Sequence, residues 1–430
     1  MKRTILRILS AVAILAACVM CESIEPDDKK TEEKQEEEQK TPEDVLSTDF
    51  LSAKETIAAM GAGWNLGNTL ESNSGDTTNM WIERWSERLT SDYEKAWGQV
   101  PVTRELIHMM REAGFRAIRV PVTWYPHMTS DYGFEPGSAV WRPSQYPIGY
   151  EVDKVWMARV KEVVDYVLAE DMYCIVNVHH DTGTSNTHWL IASDENYEAN
   201  NARFRGLWTQ IAETFKDYDG RLLFEAYNEM TDSADSWCFA SYNTPNRYDE
   251  TVATSAYSAI NKYAQCFVDA VRATGGNNKD RNLIVSTYAA CSGDGTWNNH
   301  LKDPLKEMKL PADEAKDHLI FEIHYYPSFS TVPEAKSRVD ALISSLNENL
   351  VSKGAPVIIG EWGAGGNSKI SYDSYRVNYL SFVKYFVQQT KANGMATFYW
   401  MGISDGEDRS IPKFTQEDLK DAIISGYAGE

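Results

Sequence analysis

The sequence is short of basic residues: 42 lysines and arginines stand against 63 aspartates and glutamates among 430 residues. The net charge of −21 argues against a nucleic-acid partner, which needs a basic face, and against electrostatic docking onto anionic lipid. The glycine-rich G-x-G-x-x-G turn of a dinucleotide-binding doubly wound sheet is also missing. The chain does have 43% hydrophobic residues and 13 tryptophans, enough for a deep core. Its length suits two or three small domains or one large barrel domain.

Cysteine is scarce, and its spacing predicts no metal site. Of six cysteines, Cys18 and Cys21 lie near the N-terminus, and the others lack the C-x-x-C spacing of zinc sites. In an exported protein one disulfide among these others is permitted. They are Cys174, Cys238, Cys266 and Cys291. Cys174 lies in an apolar run and is expected to be a buried thiol.

The N-terminus has the features of an export signal. A basic start is followed by an apolar run that is shorter than the about 20 residues of a membrane-spanning helix. The sequence Leu15-Ala16-Ala17-Cys18 resembles a bacterial lipobox, in which the cysteine is lipidated and becomes the mature N-terminus. We predict a lipoprotein signal peptide over residues 1–17 and an exported protein, lipid-anchored through Cys18 to the bacterial outer membrane or cell surface. Ordinary secretion with cleavage near Ala17 is the alternative.

Residues 18–45 are predicted to form an acidic, disordered tether. The stretch 22–44 is rich in glutamate and lysine and contains no aromatic residue, so it cannot bury enough apolar area to offset its ordering entropy. An exposed charged helix is the alternative, because glutamate and lysine favour helices. The single folded domain is expected over residues 46–430.

Eight short apolar runs alternate with amphipathic stretches in this domain. The runs are almost continuously apolar, as expected of strands buried on both faces. Helical periodicity covers residues 103–113, 154–170, 201–216, 252–273, 334–350 and 373–392. The strand-like runs are 59–68, 115–122, 172–180, 222–229, 282–289, 318–326, 356–362 and 395–401. This alternation predicts an α/β fold, a (β/α)8 TIM barrel with a single catalytic domain.

Polar and aromatic residues stand at the carboxyl ends of these strands, where barrel enzymes build their sites. All strands but the fifth contribute. Buried charged residues must pair with one another, so a shared site explains them better than separate structural roles. In chain order, the polar and aromatic residues at these strand ends are Trp64, Asn65, Asn68, Arg119, His179, His180, Asp181, Asn228, Glu229, His324, Tyr326, Glu361, Trp362 and Trp400.

Glu229 ends strand 4 and Glu361 ends strand 7, so the two should face each other across the barrel. Two carboxyls flanking one bond are what glycoside hydrolysis requires: one protonates the leaving oxygen, and the other attacks or activates water. We expect the carboxyls to lie roughly 5–5.5 Å apart, the spacing of a retaining enzyme. Tyr326 and Arg119 are expected to keep Glu361 ionised.

The ordered set of motifs resembles glycoside hydrolase family 5, and within it the endoglucanase-rich subfamily 4. The set spans residues 59–402, nearly the whole folded domain, and is far more specific than any one motif. The motifs are Gly63-Trp64-Asn65-Leu66-Gly67-Asn68-Thr69-Leu70, Arg119-Val120-Pro121-Val122-Thr123-Trp124, Asn177-Val178-His179-His180-Asp181, Phe224-Glu225-Ala226-Tyr227-Asn228-Glu229, His324-Tyr325-Tyr326, Gly360-Glu361-Trp362 and Phe398-Tyr399-Trp400.

The resemblance implies a retaining endo-β-1,4-glycanase that works by double displacement and needs no metal or other cofactor. The resemblance implies that Glu229 is the acid/base and that Glu361 is the nucleophile. The implied partner is a β-glucan polysaccharide, soluble or hemicellulosic, such as xyloglucan, mixed-linkage glucan or carboxymethyl cellulose. The implied substrate-binding residues are Asn68, Arg119, His179, His180, Asn228, His324, Tyr326 and Trp400.

Other functions stay open at this point. A β-mannanase or xylanase of the same fold would share these motifs, because the cleft loops 77–99 and 127–150 match no motif. A catalytically silent glycan-binding lipoprotein would look similar, although it should have lost a glutamate. A metal-dependent hydrolase using His179, His180, Asp181 and His324 is disfavoured, since the adjacent His179 and His180 point to opposite faces of a strand. The oligomeric state leaves no signal in the sequence.

Overall fold

The computed structural model describes residues 46–73, 87, 89–128, 149–183, 188–242, 247–363 and 372–429. The predicted signal peptide, lipidation at Cys18 and tether lie outside the described residues, as do parts of the loops 77–99 and 127–150. Within the described ranges, no helix is both long enough and apolar enough to cross a membrane.

Eight parallel strands close into a barrel, each paired with its sequence neighbours and the last paired with the first. Every strand lies inside one of the predicted apolar runs, so the predicted (β/α)8 barrel is confirmed. The strands are β1 (Ala62–Asn65), β2 (Phe115–Val120), β3 (Tyr173–Asn177), β4 (Leu222–Glu225), β5 (Leu283–Ser286), β6 (Leu319–Tyr325), β7 (Val357–Trp362) and β8 (Ala396–Tyr399).

All six predicted helices are present, and the described residues form four more α-helices that the sequence did not predict. Asp194–Thr214 begins earlier than predicted because the Ser193 side chain caps it, accepting a hydrogen bond from the backbone of Asn196. The helices are α1 (Ala53–Ala59), α2 (Thr90–Lys95), α3 (Arg104–Glu112), α4 (Lys154–Ala169), α5 (Asp194–Thr214), α6 (Glu250–Ala273), α7 (Asp303–Glu307), α8 (Val332–Asn349), α9 (Tyr372–Ala392) and α10 (Glu417–Ala428).

Helix α1 closes the bottom of the barrel. Ser52 and Glu55 form a reciprocal capping box that starts the helix. Ala53 and Ile57 of the helix, with Met60 after it, join the apolar cluster that fills the barrel interior. In the part of the chain that the structure describes, this packing fills the bottom of the barrel and leaves the opposite end, where the strands finish, for a ligand.

Above this apolar cluster, the inward-facing side chains become polar. The strand register places Asn65 beside Arg119 and Asn177 beside Glu225 on neighbouring strands. Such groups can be buried only if they pair with one another. The fully buried members of this layer, here called the polar floor, are Asn65, Arg119, Asn177, Glu225 and Glu322.

Candidate active site

Arg119 is the centre of the polar floor. Its Nε and Nη2 donate to the two oxygens of Glu225 at 2.6 and 2.7 Å. Its remaining N–H groups donate to oxygens of Asn65 (3.0 Å), Glu361 (2.8 Å) and Asn228 (2.8 Å). A guanidinium has five N–H donors, and all are used here. Arg119 therefore fixes the floor and one oxygen of Glu361 together.

Glu225 and Glu322 are site residues that the sequence analysis missed. Glu225 receives the two-point hydrogen bond from Arg119, and Glu322 Oε1 lies 3.5 Å from Arg119 Nε. Each glutamate stands inside an otherwise apolar strand run. A charge in a strand buried on both faces must have a buried partner, and that signal could have found both residues.

The pKa values of the two floor glutamates are shifted in opposite directions. Burial raises the pKa of Glu225 to about 7, against the lowering by Arg119. Burial also acts upward on Glu322, but Arg119 and His324 outweigh it and hold the pKa below its ordinary value. Ser286 donates to Glu322 at 2.5 Å and favours the same charged form. Glu322 is therefore an anion beside Arg119, whereas Glu225 depends on the hydrogen bonds from Arg119 and Asn177 to offset the effect of its burial.

Gly360 sets the position of Glu361. Ile323 of β6 pairs with Ile359 of β7, but the next residue, His324, pairs with Glu361. The register therefore shifts at Gly360. A Cβ on Gly360 would lie 1.6 Å from Glu322 Oε1. Only glycine fits, because the carboxylate of Glu322 occupies the space that a side chain would need.

Glu361 is held from three directions. Tyr326 donates its hydroxyl to Oε2 at 2.8 Å, Arg119 donates to Oε1, and His324 Nδ1 lies 3.6 Å from Oε2. The contacts expected of Tyr326 and Arg119 are thus present, and His324 is an additional counter-charge. Burial nevertheless raises the pKa of Glu361, while His324 and Arg119 oppose that rise.

Glu229 lies next to Glu361 across the cleft. The ring Nδ1 of His324 donates to Glu229 Oε1 at 2.7 Å. One carboxylate oxygen of each glutamate and a ring nitrogen of His324 all lie within 4.8 Å of one another. Retaining glycosidases hold their two carboxyls roughly 5–5.5 Å apart and inverting ones roughly 6.5–9.5 Å, so two oxygens within 4.8 Å of each other fit the shorter spacing better. The Glu229 side chain is 21% exposed and that of Glu361 6%, so Glu229 is the more open of the two.

His179 is neutral and carries its proton on Nε2. Asn177 Oδ1 accepts from the backbone N–H of Val122, so the amide nitrogen must be the group that donates to His179 Nδ1 at 2.9 Å. Burial lowers the pKa of His179 well below its ordinary value. Nε2 lies 3.8 Å from Glu361 Oε1, and the ring is parallel to that of Trp400, with centroids 5.8 Å apart.

The remaining predicted substrate residues surround this cluster. Asn228 gives its oxygen to Arg119, which leaves its amide nitrogen to donate to a substrate hydroxyl. Asn68 lies on the loop after β1 with a left-handed backbone (φ 58°), and Glu71 accepts its N–H. His180 lies against Trp97, with ring centroids 5.1 Å apart, and burial lowers the pKa of His180 to about 4.

Two motifs that suggest other chemistry are structural. The pentapeptide Gly402-Ile403-Ser404-Asp405-Gly406 matches the G-x-S-x-G pattern of serine hydrolases, but Ser404 is fully buried, and no described group bonds its hydroxyl. A serine nucleophile must be exposed on a turn and bonded to a base. The Asp181 carboxylate, a candidate metal ligand, instead accepts N–H groups of Trp124, Tyr125 and Trp189 at 2.7–2.8 Å.

Glu229, His324 and Glu361 are the group in the described ranges whose ligand atoms are close enough to hold a metal ion. Burial acts to lower the pKa of His324, but the charges of Glu361 and Glu229 raise it to about 10. A protonated imidazole has no lone pair for a metal. A protonated His324 therefore fits hydrogen bonding to the carboxyls beside it better than metal binding.

We expect the charge on His324 to stabilise the fold in a pH-dependent way. Its pKa is raised from 6.5 to about 10 on folding, so the stabilisation is complete below pH 6.5 and is lost as pH rises toward 10. His324→Gln should lower the free energy of unfolding most near pH 6, and the difference from the wild type should shrink toward pH 10. Denaturant unfolding across this range measures it, with His108→Gln on the surface as the control. A difference independent of pH would contradict the charged state.

The chain is similar to one family over most of its length. The family model described as cellulase, glycosyl hydrolase family 5, matches residues 76–406. Endoglucanase A of Clostridium longisporum is 29% identical over 451 residues, covering 99% of this chain and 73% of that protein. Endoglucanase B of Ruminococcus albus is 32% identical over 330 residues, covering 74% of this chain and 66% of that protein.

The chain is also similar to solved structures of enzymes of the same family. A broad-specificity endoglucanase of subfamily GH5-4 from an uncultured bacterium is 47% identical with a TM-score of 0.78, covering 90% of this chain and 98% of that one. A family 5 enzyme from Prevotella bryantii B14 was solved as a mutant in complex with a xyloglucan tetradecasaccharide. It is 36% identical with a TM-score of 0.71, covering 88% of this chain and 99% of that one.

Proposed function

Since the chain belongs to glycosyl hydrolase family 5 and is a retaining glycoside hydrolase of the endoglucanase type, we propose that Glu229 and Glu361 are its two catalytic carboxyls. One observation carries the assignment: an oxygen of each carboxyl lies within 4.8 Å of an oxygen of the other, beside His324. That gap is too short for the water that an inverting enzyme places between its carboxyls.

In the proposed first step, Glu361 attacks the anomeric carbon. It is the better nucleophile of the two because Arg119 and Tyr326 each donate a hydrogen bond to it at 2.8 Å, which favours the carboxylate over the acid. Glu229 gives its proton to the departing oxygen as the glycosidic bond breaks. The bond from His324 to Oε1 leaves the Oε2 atom of Glu229 to face that oxygen.

In the proposed second step, water releases the glycosyl-enzyme. Glu229, now a carboxylate, takes a proton from the water that attacks the anomeric carbon, and Glu361 departs. His324 stays protonated through both steps and balances the negative charge as it moves from one glutamate to the other. Two inversions at the same carbon give net retention of the β configuration.

We propose soluble or hemicellulosic β-1,4-linked glucans as substrates: xyloglucan, mixed-linkage glucan and carboxymethyl cellulose. The broad specificity of one similar enzyme and the xyloglucan bound by another support this range. The Trp400 ring, parallel to His179, offers the flat apolar face that a pyranose ring needs. Product analysis on these polymers, with glucomannan and xylan included, separates a glucanase from a mannanase or xylanase.

Glu229→Ala should distinguish the acid/base from the nucleophile. On a β-glucan, kcat/KM should fall by about 10³-fold, because the departing alkoxide needs a proton. A dinitrophenyl cello-oligosaccharide has a leaving group that needs no proton, so its first step should stay close to the wild-type rate. Burst and steady-state rates on both substrates measure this, with Glu250→Ala on the surface as the control. Equal losses on both substrates would contradict the acid/base role.

We also propose that the protein is exported and anchored through a lipid on Cys18, as its lipobox suggests. Cys18→Ala should remove the acyl chain, without which the acidic tether has little affinity for a membrane. Fractionation of cells that make each form should find the wild type in the membrane fraction and the variant released or unprocessed. Unchanged membrane association of the variant would contradict lipidation at this residue.

A further inference from the structure

His324 has carboxyl groups beside both of its ring nitrogens. Its Nδ1 donates to Glu229 Oε1 at 2.7 Å and lies 3.6 Å from Glu361 Oε2. On the other side of the ring, Nε2 lies 3.6 Å from Oε1 of Glu322. Glu229 and Glu361 react in the proposed mechanism, whereas Glu322 has no role in it so far.

The barrel holds Glu322 firmly beside this ring. Glu322 and His324 are two apart on β6, so both side chains point into the barrel, where both are buried. Ser286 on β5 donates to Glu322 Oε2 at 2.5 Å. Gly360 on β7 leaves room for the carboxylate, because a Cβ there would lie 1.6 Å from Oε1. These neighbours place Oε1 between His324 Nε2 and Arg119 Nε, which lies 3.5 Å away.

The facing atoms of Glu322 and His324 favour a charged ring. Within the described ranges, neither Glu322 Oε1 nor His324 Nε2 makes a closer hydrogen bond to another group. A lone pair on Nε2 would face the lone pairs of a carboxylate, so the anion favours a proton on this nitrogen. Because Nδ1 already donates to Glu229, a second proton on Nε2 makes the ring an imidazolium.

The charge on His324 decides which oxygen of Glu229 carries the acid proton. While Nδ1 is protonated, the ring donates to Oε1, and the acid proton must lie on Oε2, which faces the departing oxygen in the proposed first step. A neutral ring protonated on Nε2 alone would accept a hydrogen bond at Nδ1. The proton of Glu229 would then point at the ring, and the leaving group would receive no proton from it.

We propose that Glu322 is a positioning residue for the reaction: by stabilising the imidazolium form of His324, it keeps the proton of Glu229 on the oxygen that faces the leaving group. Glu322 touches no substrate and acts through the ring. Its negative charge stays in place, whereas the charge of the catalytic pair moves from Glu361 to Glu229 in the first step. The inference rests on the proposed roles of Glu229 and Glu361 and deepens them.

The groups around His324 and Glu322 leave Glu322 as the anion on the Nε2 side of the ring. Burial keeps His179 and Cys291 neutral, because it lowers the pKa of the first and raises that of the second. The charged and titratable groups are Tyr326 on β6, Arg119 on β2, His179 after β3, Glu225 on β4, Tyr227, Glu229 and Cys238 after β4, Cys291 and Asp294 after β5, and Glu361 on β7. Glu225 is taken up by its two-point bond from Arg119, and Asp294 pairs with Arg338 at 2.8 Å.

Glu322→Gln removes the charge and keeps the shape of the side chain. The glutamine amide can still bond Ser286, because a hydroxyl also accepts hydrogen bonds. Loss of the anion should lower the pKa of His324 from about 10 toward 6.5, so the ring should lose its charge at pH 8 and keep it at pH 5. On a β-glucan, kcat/KM should therefore fall by about tenfold at pH 8 and change little at pH 5. The first step on a dinitrophenyl cello-oligosaccharide should change little at either pH, since its leaving group needs no proton.

Nitrogen-15 NMR of histidine-labelled protein reports the charge of the ring independently of activity. The His324 signal, assigned by its absence in His324→Gln, should stay that of an imidazolium up to about pH 10 in the wild type and become neutral at lower pH in Glu322→Gln. Glu322→Asp keeps an anion and should recover part of the wild-type titration. Glu225→Gln is the matched control, since Glu225 is equally buried and bonds Arg119, but its other partner is Asn177. It should lower the rates on both substrates by the same factor and leave the titration of His324 in place.

The outcomes separate this inference from the roles on which it rests. An equal loss on both substrates, or an unchanged titration of His324 in Glu322→Gln, overturns the positioning role and leaves the proposed function standing. If Glu229→Ala itself loses activity equally on both substrates, the proposed acid/base is wrong. If Glu322→Gln melts far below the wild type, Ser286→Ala replaces it. Without the bond from Ser286 the anion is less stable, so His324 should titrate at lower pH than in the wild type, by a smaller shift.

Discussion

Glu361→Ala is expected to reduce β-glucan hydrolysis by roughly 10⁵-fold. The variant lacks the proposed nucleophile, and the proposed acid/base Glu229 would protonate the leaving oxygen without attacking the anomeric carbon. Arg119 and Tyr326, both bonded to Glu361 at 2.8 Å, lose an acceptor and cannot replace it. Steady-state hydrolysis of a soluble β-glucan measures the loss, with Glu348→Ala on the surface of α8 as the control.

Adding azide to the Glu361→Ala variant gives a second test of the nucleophile role of Glu361. In Glu361→Ala the cavity left by the carboxylate opens the α face of the sugar to a small anion. Azide should therefore restore turnover of an activated aryl glycoside and give the α-glycosyl azide, an inverted product. The wild type should release the β anomer first, as proton NMR before mutarotation would show. An α anomer as the first wild-type product, or a β-glycosyl azide from the variant, would contradict the nucleophile assignment.

Arg119→Met is expected to cost about 3–5 kcal/mol of folding free energy and to abolish activity. The loss of the guanidinium leaves Glu225, Glu322 and Glu361 buried without the cation that contacts all three. Such a loss is a large share of the about 5–15 kcal/mol by which a domain is stable. Arg119→Lys should recover part of the stability, since it keeps the charge, but little activity, because an ammonium cannot reach the five acceptors.

The pH dependence of this loss identifies its cause. The pKa of Glu322 is held below 4.5 in the folded protein, so its contribution is present above pH 4.5 and is lost as pH falls through the folded value. The destabilisation by Arg119→Met should therefore be greatest above pH 4.5 and shrink in acid. Arg281→Met is the matched control, because Arg281 is equally buried but bonds backbone carbonyls and Asn278 at the bottom of the barrel. It should destabilise without that pH dependence and leave kcat/KM of the folded enzyme unchanged.

The strands and helices of the barrel differ in how well the local sequence predicts them. The strands and the longer helices follow from periodic burial along the chain, which a sequence displays directly. Helix α10 escaped prediction although Leu419, Ile423 and Tyr427 are spaced four apart and buried. Three apolar positions make a weak signal, and the packing of this helix against α9 supplies the rest of its stability.

The residues of the site also differ in how far the sequence predicts their roles. Because barrel sites gather at the carboxyl ends of strands, the order of polar residues at those ends identified the two glutamates and their neighbours Tyr326 and Arg119. Glu225 and Glu322 went unrecognised because each looks like an isolated charge until Arg119 is placed between them. The charge on His324 likewise depends on two carboxylates that reach it from β4 and β7.

Local periodicity along the chain predicts the barrel, and the ordered motifs at the strand ends predict the family and single out Glu229 and Glu361 as the two candidate carboxyls. The distance between the carboxyls and the arrangement of the polar floor beneath them follow from the tertiary structure alone. Arg119 and Glu361 are 242 positions apart in the chain and 2.8 Å apart in the fold. Barrel closure brings them together, and no local pattern encodes how closely, because the spacing depends on strand register and on the missing side chain at Gly360.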